Sequence, residues 1–95
     1  MVLRKRLTFE GDVQGVGFRY RACMAADHYG CTGWILNLWD GRVIMEIQGE
    51  EDAIDAVLAF INAGTYVRIE EMRCKRLPLD QEETGFWVRE EEDDL

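Results

Sequence analysis

The chain has 95 residues, 47% of them hydrophobic and 11% aromatic, with one proline and a formal net charge of -8. That length sets one domain with its own core, and no apolar run reaches the roughly 18 residues that a membrane-spanning helix needs. The acidic balance argues against broad binding to a polyanion, which rests on many phosphate neutralisations, but it leaves room for one small anion at a local positive spot.

The opening stretch MVLRKRLTFE has no apolar core of the signal-peptide kind, so a cytoplasmic protein is expected. Leu3, Lys5, Leu7 and Phe9 alternate with Arg4, Arg6, Thr8 and Glu10, the period of a strand with one mostly apolar face. The basic run Arg4–Arg6 is expected as a solvated strand face that helps draw anions toward the next loop. Residues 1–21 hold five cations (Arg4, Lys5, Arg6, Arg19, Arg21) against Glu10 and Asp12, so the acidic excess lies in the rest of the chain.

Three glycines, Gly11, Gly15 and Gly17, follow within seven residues. From Phe18 the period changes. Phe18, Ala22, Ala25, Ala26 and Tyr29 form one helical stripe, and Gly30 suits the left-handed stop of a helix. CTGWILNLW reads as a strand, Asp40-Gly41 as a hairpin turn, and RVIMEIQG as the returning strand with Val43, Met45 and Ile47 on one face. Glu50, Glu51 and Asp52 suit the positive end of a second helix with the stripe Ile54, Val57, Leu58 and Ile61, ended by Gly64. In YVRIEEMRCKRL, Val67 and Ile69 are out of step with Met72 and Cys74, which predicts a fourth strand with a bulge. LPLDQEETG is a polar turn, and FWVRE is a short last strand.

The order β-α-β-β-α-β plus a final strand predicts an α+β, ferredoxin-like sandwich. Its antiparallel sheet carries two helices on one face, the first and third strands lie centrally, and a short extra strand closes the C-terminus. The domain is expected over residues 1–89, with an acidic, solvated tail over 90–95. Cys23, Cys31 and Cys74 form no CxxC pair and are expected as buried free thiols. His28 is expected at the surface near the end of the first helix, and Trp34 in core or sheet-face packing.

The glycine-rich loop has a chemical reading. Holding a phosphate requires several backbone N–H groups aimed at one centre, which glycine curvature permits. A helix starting at once adds its free N–H groups and its positive dipole end, and a guanidinium matches two phosphate oxygens. GDVQGVGFR supplies these parts in order, with Arg19 as the clamp. Neither a GxxxxGK[ST] nor a GxGxxG pattern fits this loop.

GDVQGVGFR closely resembles the acylphosphatase signature G-x-V-Q-G-V-x-F-R, and GWILNLWDG, from Gly33 to Gly41, resembles that family's G-W-V-x-N-x-x-D-G. The resemblance spans about residues 5–89. It implies an enzyme that hydrolyses the carboxylic–phosphoric anhydride of acyl phosphates. It also implies that Arg19 binds the phosphoryl group, that Asn37 positions the attacking water, and that the backbone of Gln14, Gly15, Val16, Gly17 and Phe18 forms the phosphate loop. The chain departs from the family at AGTYVRIEE, where a Gly-Pro-Pro-like turn is common, and in its acidic tail. Acylphosphatase-like domains are also appended to larger carbamoyl-transferring proteins, but a free-standing, monomeric enzyme is expected here.

Residue types then limit the mechanism. No Ser, Cys, His or Lys lies between Gly11 and Arg19, so a covalent intermediate is unattractive. No metal-ligand cluster is evident, and no metal or other cofactor is implied. Asp12 and Asp40 read better as turn residues than as bases. Asn37 cannot remove a proton and can only orient a water, which leaves the substrate's own phosphate oxygen as the proton acceptor. Asn37 alternates onto the face of Gly33 and Ile35, and Gly33 is expected to leave space beside it. Two rivals remain: a non-enzymatic anion-binding module, and a nucleic-acid binder, against which charge and strand composition weigh.

Overall fold

Alternation of period two carries the chain from Val2 to Asp12 as β1, and the glycines after it release the backbone into α1 (Phe18–Tyr29). In the computed structural model, which describes residues 1–90, β2 (Thr32–Asn37) and β3 (Val43–Glu50) form the expected hairpin. After these come α2 (Glu51–Asn62), β4 (Arg68–Leu77) and β5 (Phe86–Arg89). The expected tail lies outside the described residues except for Glu90.

The sheet order is β4-β1-β3-β2-β5, so β1 and β3 are central as the pattern predicts. All pairings are antiparallel except that of β5, which runs parallel to β2. The expected bulge is present. Pairing of β1 with β4 runs in step to Glu10 opposite Glu71, then shifts to Gly11 opposite Ile69, leaving Glu70 as the extra residue.

One face of the sheet meets both helices. Leu7, Phe9, Ile35, Val43, Met45 and Ile47 pack there against Phe18, Ala22, Ala25 and Ala26 of α1 and Ile54, Val57 and Ile61 of α2. The alanines of α1 remove bulk where the helices meet the core, and the Arg21 guanidinium bridges the two helices. It donates to the Phe60 carbonyl at 2.9 and 2.8 Å and stacks 4.0 Å from the Phe60 ring centroid.

The other face carries a smaller cluster of Leu36, Leu38 and Ile44, with Trp34 packed against it. The structure corrects one expectation on this face. Arg4 is not solvated but 5% exposed. Its guanidinium takes both oxygens of Glu83, at 2.7 and 3.0 Å, and one of Glu46 at 3.0 Å. The 78–85 segment lies over the sheet here, held also by reciprocal hydrogen bonds between Gln48 and Asp80. An alternation pattern cannot show that a later segment covers a strand's polar face.

The cysteine expectation is corrected as well. Cys31 is buried and Cys23 half-buried, but Cys74 is exposed, because β4 is an edge strand. Burial pushes the Cys31 and Cys23 thiols up.

Removing one partner of a buried, hydrogen-bonded ion pair strands the other charge. Arg4→Ala is therefore expected to lose about 3 kcal/mol of unfolding free energy in urea titration, at the lower end for such pairs. Arg6→Ala, which removes a more exposed contact 3.6 Å from Glu46, is expected to cost under about 1 kcal/mol. Equal losses would contradict the burial argument.

Candidate active site

Strand direction decides which residues can meet. β1 and β2 are both antiparallel to β3, so they run the same way and end on the same side of the sheet. Phe9 and Asn37 both pair with Val43, which places them in one row two strands apart. β5 runs parallel to β2, with Arg89 beside Leu36, so Glu90 emerges at this end too. The loop after β1, the end of β2 and the residue after β5 thus converge.

The loop is shaped by Gly15 and Gly17, at φ 71° and 82°. These are left-handed angles that other residues adopt only with strain. A Cβ at either position would meet nothing within 4 Å, so the demand is conformational, and open space lies beside both. Gly17 is also the N-cap of α1 and offers no side-chain capping bond. The first helical bond returns from the Arg21 N–H to the Gly17 carbonyl at 3.0 Å. Amides at the start of a helix have no intrahelical acceptor, and here no cap side chain supplies one.

Charge at this helix start runs against the usual rule. The first turn of α1 has no acidic residue and carries Arg19 and Arg21, whereas that of α2 carries Glu51 and Asp52. Cations at the positive end of a helix dipole are unfavourable, and an anion there relieves both. Arg21 is turned away to Phe60. Arg19 is half-exposed, and its guanidinium lies 3.8 Å from the Glu90 carboxylate.

Asn37 ends β2 on the helix-covered face. Its Oδ1 is buried and has no hydrogen-bond partner among the described residues. Leaving such an acceptor unpaired costs about 1–3 kcal/mol, which marks it as a group kept for something else. Asn37, Val13, Gly15, Gly17, Phe18, Arg19 and Tyr20 line one cavity of about 200 Å³. Two larger hollows, of about 370 and 390 Å³, lie elsewhere, and neither is lined by an arginine or a lysine.

The sequence-predicted residues divide. Gly15, Gly17, Phe18, Arg19 and Asn37 come together around the cavity, while Gln14 and Val16 do not line it. Val16 packs against the core. Gln14 has a role that the motif did not reveal. Its Nε2 donates to the carbonyls of Leu38 at 2.7 Å and Arg42 at 2.9 Å, pinning the loop to the β2–β3 turn. That turn is held in its own right: Asp40 accepts from the Arg42 backbone N–H and side chain, and these bonds hold its carboxyl below the ordinary value. Asp40 is thus a turn residue. Phe18 points into the core, its ring edge-on to Phe9 at 4.9 Å, so only its backbone faces the site. Gly33 does not make room for Asn37. At φ 142° it lies so close to β3 that a Cβ would collide with the Glu46 carbonyl.

Fold and site geometry define a ferredoxin-like α+β protein with a basic hollow at one end of its sheet. Residues 5–88 match the acylphosphatase family model. An acylphosphatase of Oceanobacillus iheyensis is 40% identical over 86 residues, covering 88% of this chain and 94% of its own. One of Clostridium acetobutylicum is 39% identical over 89 residues, covering 93% and 98%. The crystal structure of acylphosphatase from Bacillus subtilis superposes with a TM-score of 0.83 at 29% identity, covering 94% of this chain and 99% of that one. The chain belongs to the acylphosphatase family and is a hydrolase of that class.

Any anion seated on Arg19 competes with Glu90. Exposed pairs are weak, so Glu90→Gln is expected to tighten inorganic phosphate binding by about two- to fivefold at low salt. The gain should fade in calorimetric titrations at high salt, where exposed charges are screened. Weaker binding in Glu90→Gln would show that the carboxylate supports the guanidinium instead.

Proposed function

We propose that the protein hydrolyses acyl phosphates to carboxylate and inorganic phosphate by in-line attack of one water on phosphorus. The observation that carries this reading is the buried, unpartnered Asn37 Oδ1 in the same cavity as Arg19 and an uncapped helix start. An anion-binding module would need the arginine and the helix but would have no use for the amide.

In this reading, Arg19 and backbone N–H groups of the loop where it lines the cavity, at Gly15, Gly17 and Phe18, hold the phosphoryl oxygens. Asn37 Oδ1 accepts one O–H of the water and so turns an oxygen lone pair toward phosphorus. The water oxygen–phosphorus bond forms as the bond from phosphorus to the acyl oxygen breaks. The carboxylate leaves with the electron pair and needs no proton. The water's proton passes to a phosphoryl oxygen of the substrate, so no protein base is required. Phosphoryl transfer of this loose kind asks the protein for placement and charge stabilisation. Among the described residues no three His, Cys, Asp or Glu side chains form a metal-holding group, and no step is routed through a metal. In this reading the enzyme acts as a monomer on a small molecule.

Hydrolysis of benzoyl phosphate, followed by ultraviolet absorbance, tests the roles. Arg19→Ala is expected to lower kcat/KM at least about 10²–10³-fold, the cost of one transition-state donor, and to abolish phosphate binding. Asn37→Ala should lower kcat by about 10²-fold with phosphate binding retained. It should not lower the melting temperature, because an unpaired buried oxygen is removed. Loss of phosphate affinity in Asn37→Ala with turnover intact would overturn the assignment. A wild-type protein that binds phosphate but hydrolyses nothing would favour the anion-binding module.

A further inference from the structure

We infer that Tyr20 forms the acyl subsite, and that the enzyme prefers acyl phosphates whose acyl group is aromatic or broadly apolar and uncharged. The inference rests on the acylphosphatase reading above and adds the substrate class.

Tyr20 lines the same cavity as Arg19 and Asn37, yet it is 69% exposed. Tyr66 is also exposed and without a partner among the described residues, but it does not line this cavity, and two other exposed aromatics have partners. Trp87 packs on Gly85 and donates its indole N–H to the Thr84 carbonyl at 2.8 Å, and Tyr29 meets His28 edge-on at 4.8 Å. Neither the Tyr20 ring nor its hydroxyl has a partner among the described residues. Local structure does not call for it either. It stands in the first turn of α1, off the buried stripe of Phe18, Ala22, Ala25 and Ala26, where a small polar or acidic residue would suit the helix better.

Exposure differs among the lining residues: Asn37 Oδ1 is buried, Arg19 is half-exposed, and Tyr20 is the most exposed of the three. In-line displacement puts water and leaving group on opposite sides of phosphorus. With the water held by the buried Asn37 amide, the acyl group leaves toward the solvent-exposed side, to which Tyr20 belongs. The cavity, of about 200 Å³, is open to solvent, so the acyl group beyond the carbonyl can extend outward over the rim. A flat or apolar group there gains ring contact. One bearing a carboxylate would meet Glu90, the acid beside Arg19.

The test is the ratio of kcat/KM for benzoyl phosphate to that for acetyl phosphate, in wild type and variants. Tyr20→Ala is expected to lower this ratio about three- to tenfold, chiefly through KM for benzoyl phosphate. Tyr20→Phe should preserve it, since the ring and not the hydroxyl is invoked. The inhibition constant of inorganic phosphate should not change in either variant. Tyr29→Ala, an exposed tyrosine about 14 Å along the helix axis at 1.5 Å per residue, should leave the ratio unaltered. An unchanged ratio in Tyr20→Ala would overturn the inference while leaving the acylphosphatase reading intact. Equal losses for both substrates would also overturn it, placing Tyr20 with the phosphoryl end. Absence of hydrolysis of either substrate by the wild-type protein would bring down both.

Discussion

The positive end of α1 is the constraint around which this site is arranged. A helix start normally recruits a carboxylate or a hydroxyl side chain to its free amides. This one is entered through a left-handed glycine, has no capping side chain, and adds an arginine to its first turn. Both choices are uphill for an isolated helix and downhill once a small, highly charged anion is seated there. Burial of the Phe18 ring against Phe9 lets the helix start at this point all the same: packing holds it where electrostatics would loosen it.

A second unfavourable feature belongs to another residue that lines the same cavity. The Asn37 carbonyl oxygen is taken from water and given no partner among the described residues. Two locally costly features in residues that line one hollow are the mark of a site held ready, with the stability supplied by the core beneath. The loop is kept in place by a device remote from the chemistry. Gln14 spans to the β2–β3 turn, so loop and Asn37 strand are tied together through carbonyls on both sides of that turn. The position of the loop relative to Asn37 therefore depends on the Gln14 side chain, which does not line the cavity.

Much of this was legible in the sequence, for particular reasons. Period-two and helical stripes gave the element order, and the break in step between Ile69 and Met72 announced the bulge. Gly15, Gly17 and Arg19 were readable because curvature, helix start and guanidinium occur consecutively. What escaped shares one cause: it depends on residues far apart in the chain. Arg4 is buried because Glu83, 79 positions later, returns over the sheet. Gln14 bonds carbonyls 24 and 28 residues away. Gly33 is glycine because of the Glu46 backbone on the neighbouring strand, not because of Asn37. Periodicity reports which face a residue is on, and says nothing of what later covers that face.

The most direct measurement is a titration of the isotopically labelled protein with inorganic phosphate, read through its backbone amide resonances. Seating of the anion at the start of α1 predicts saturable shifts concentrated at Gly15 through Tyr20, lost in Arg19→Ala. Shifts spread over the basic residues of β4, or none at the loop under saturating phosphate, would contradict it.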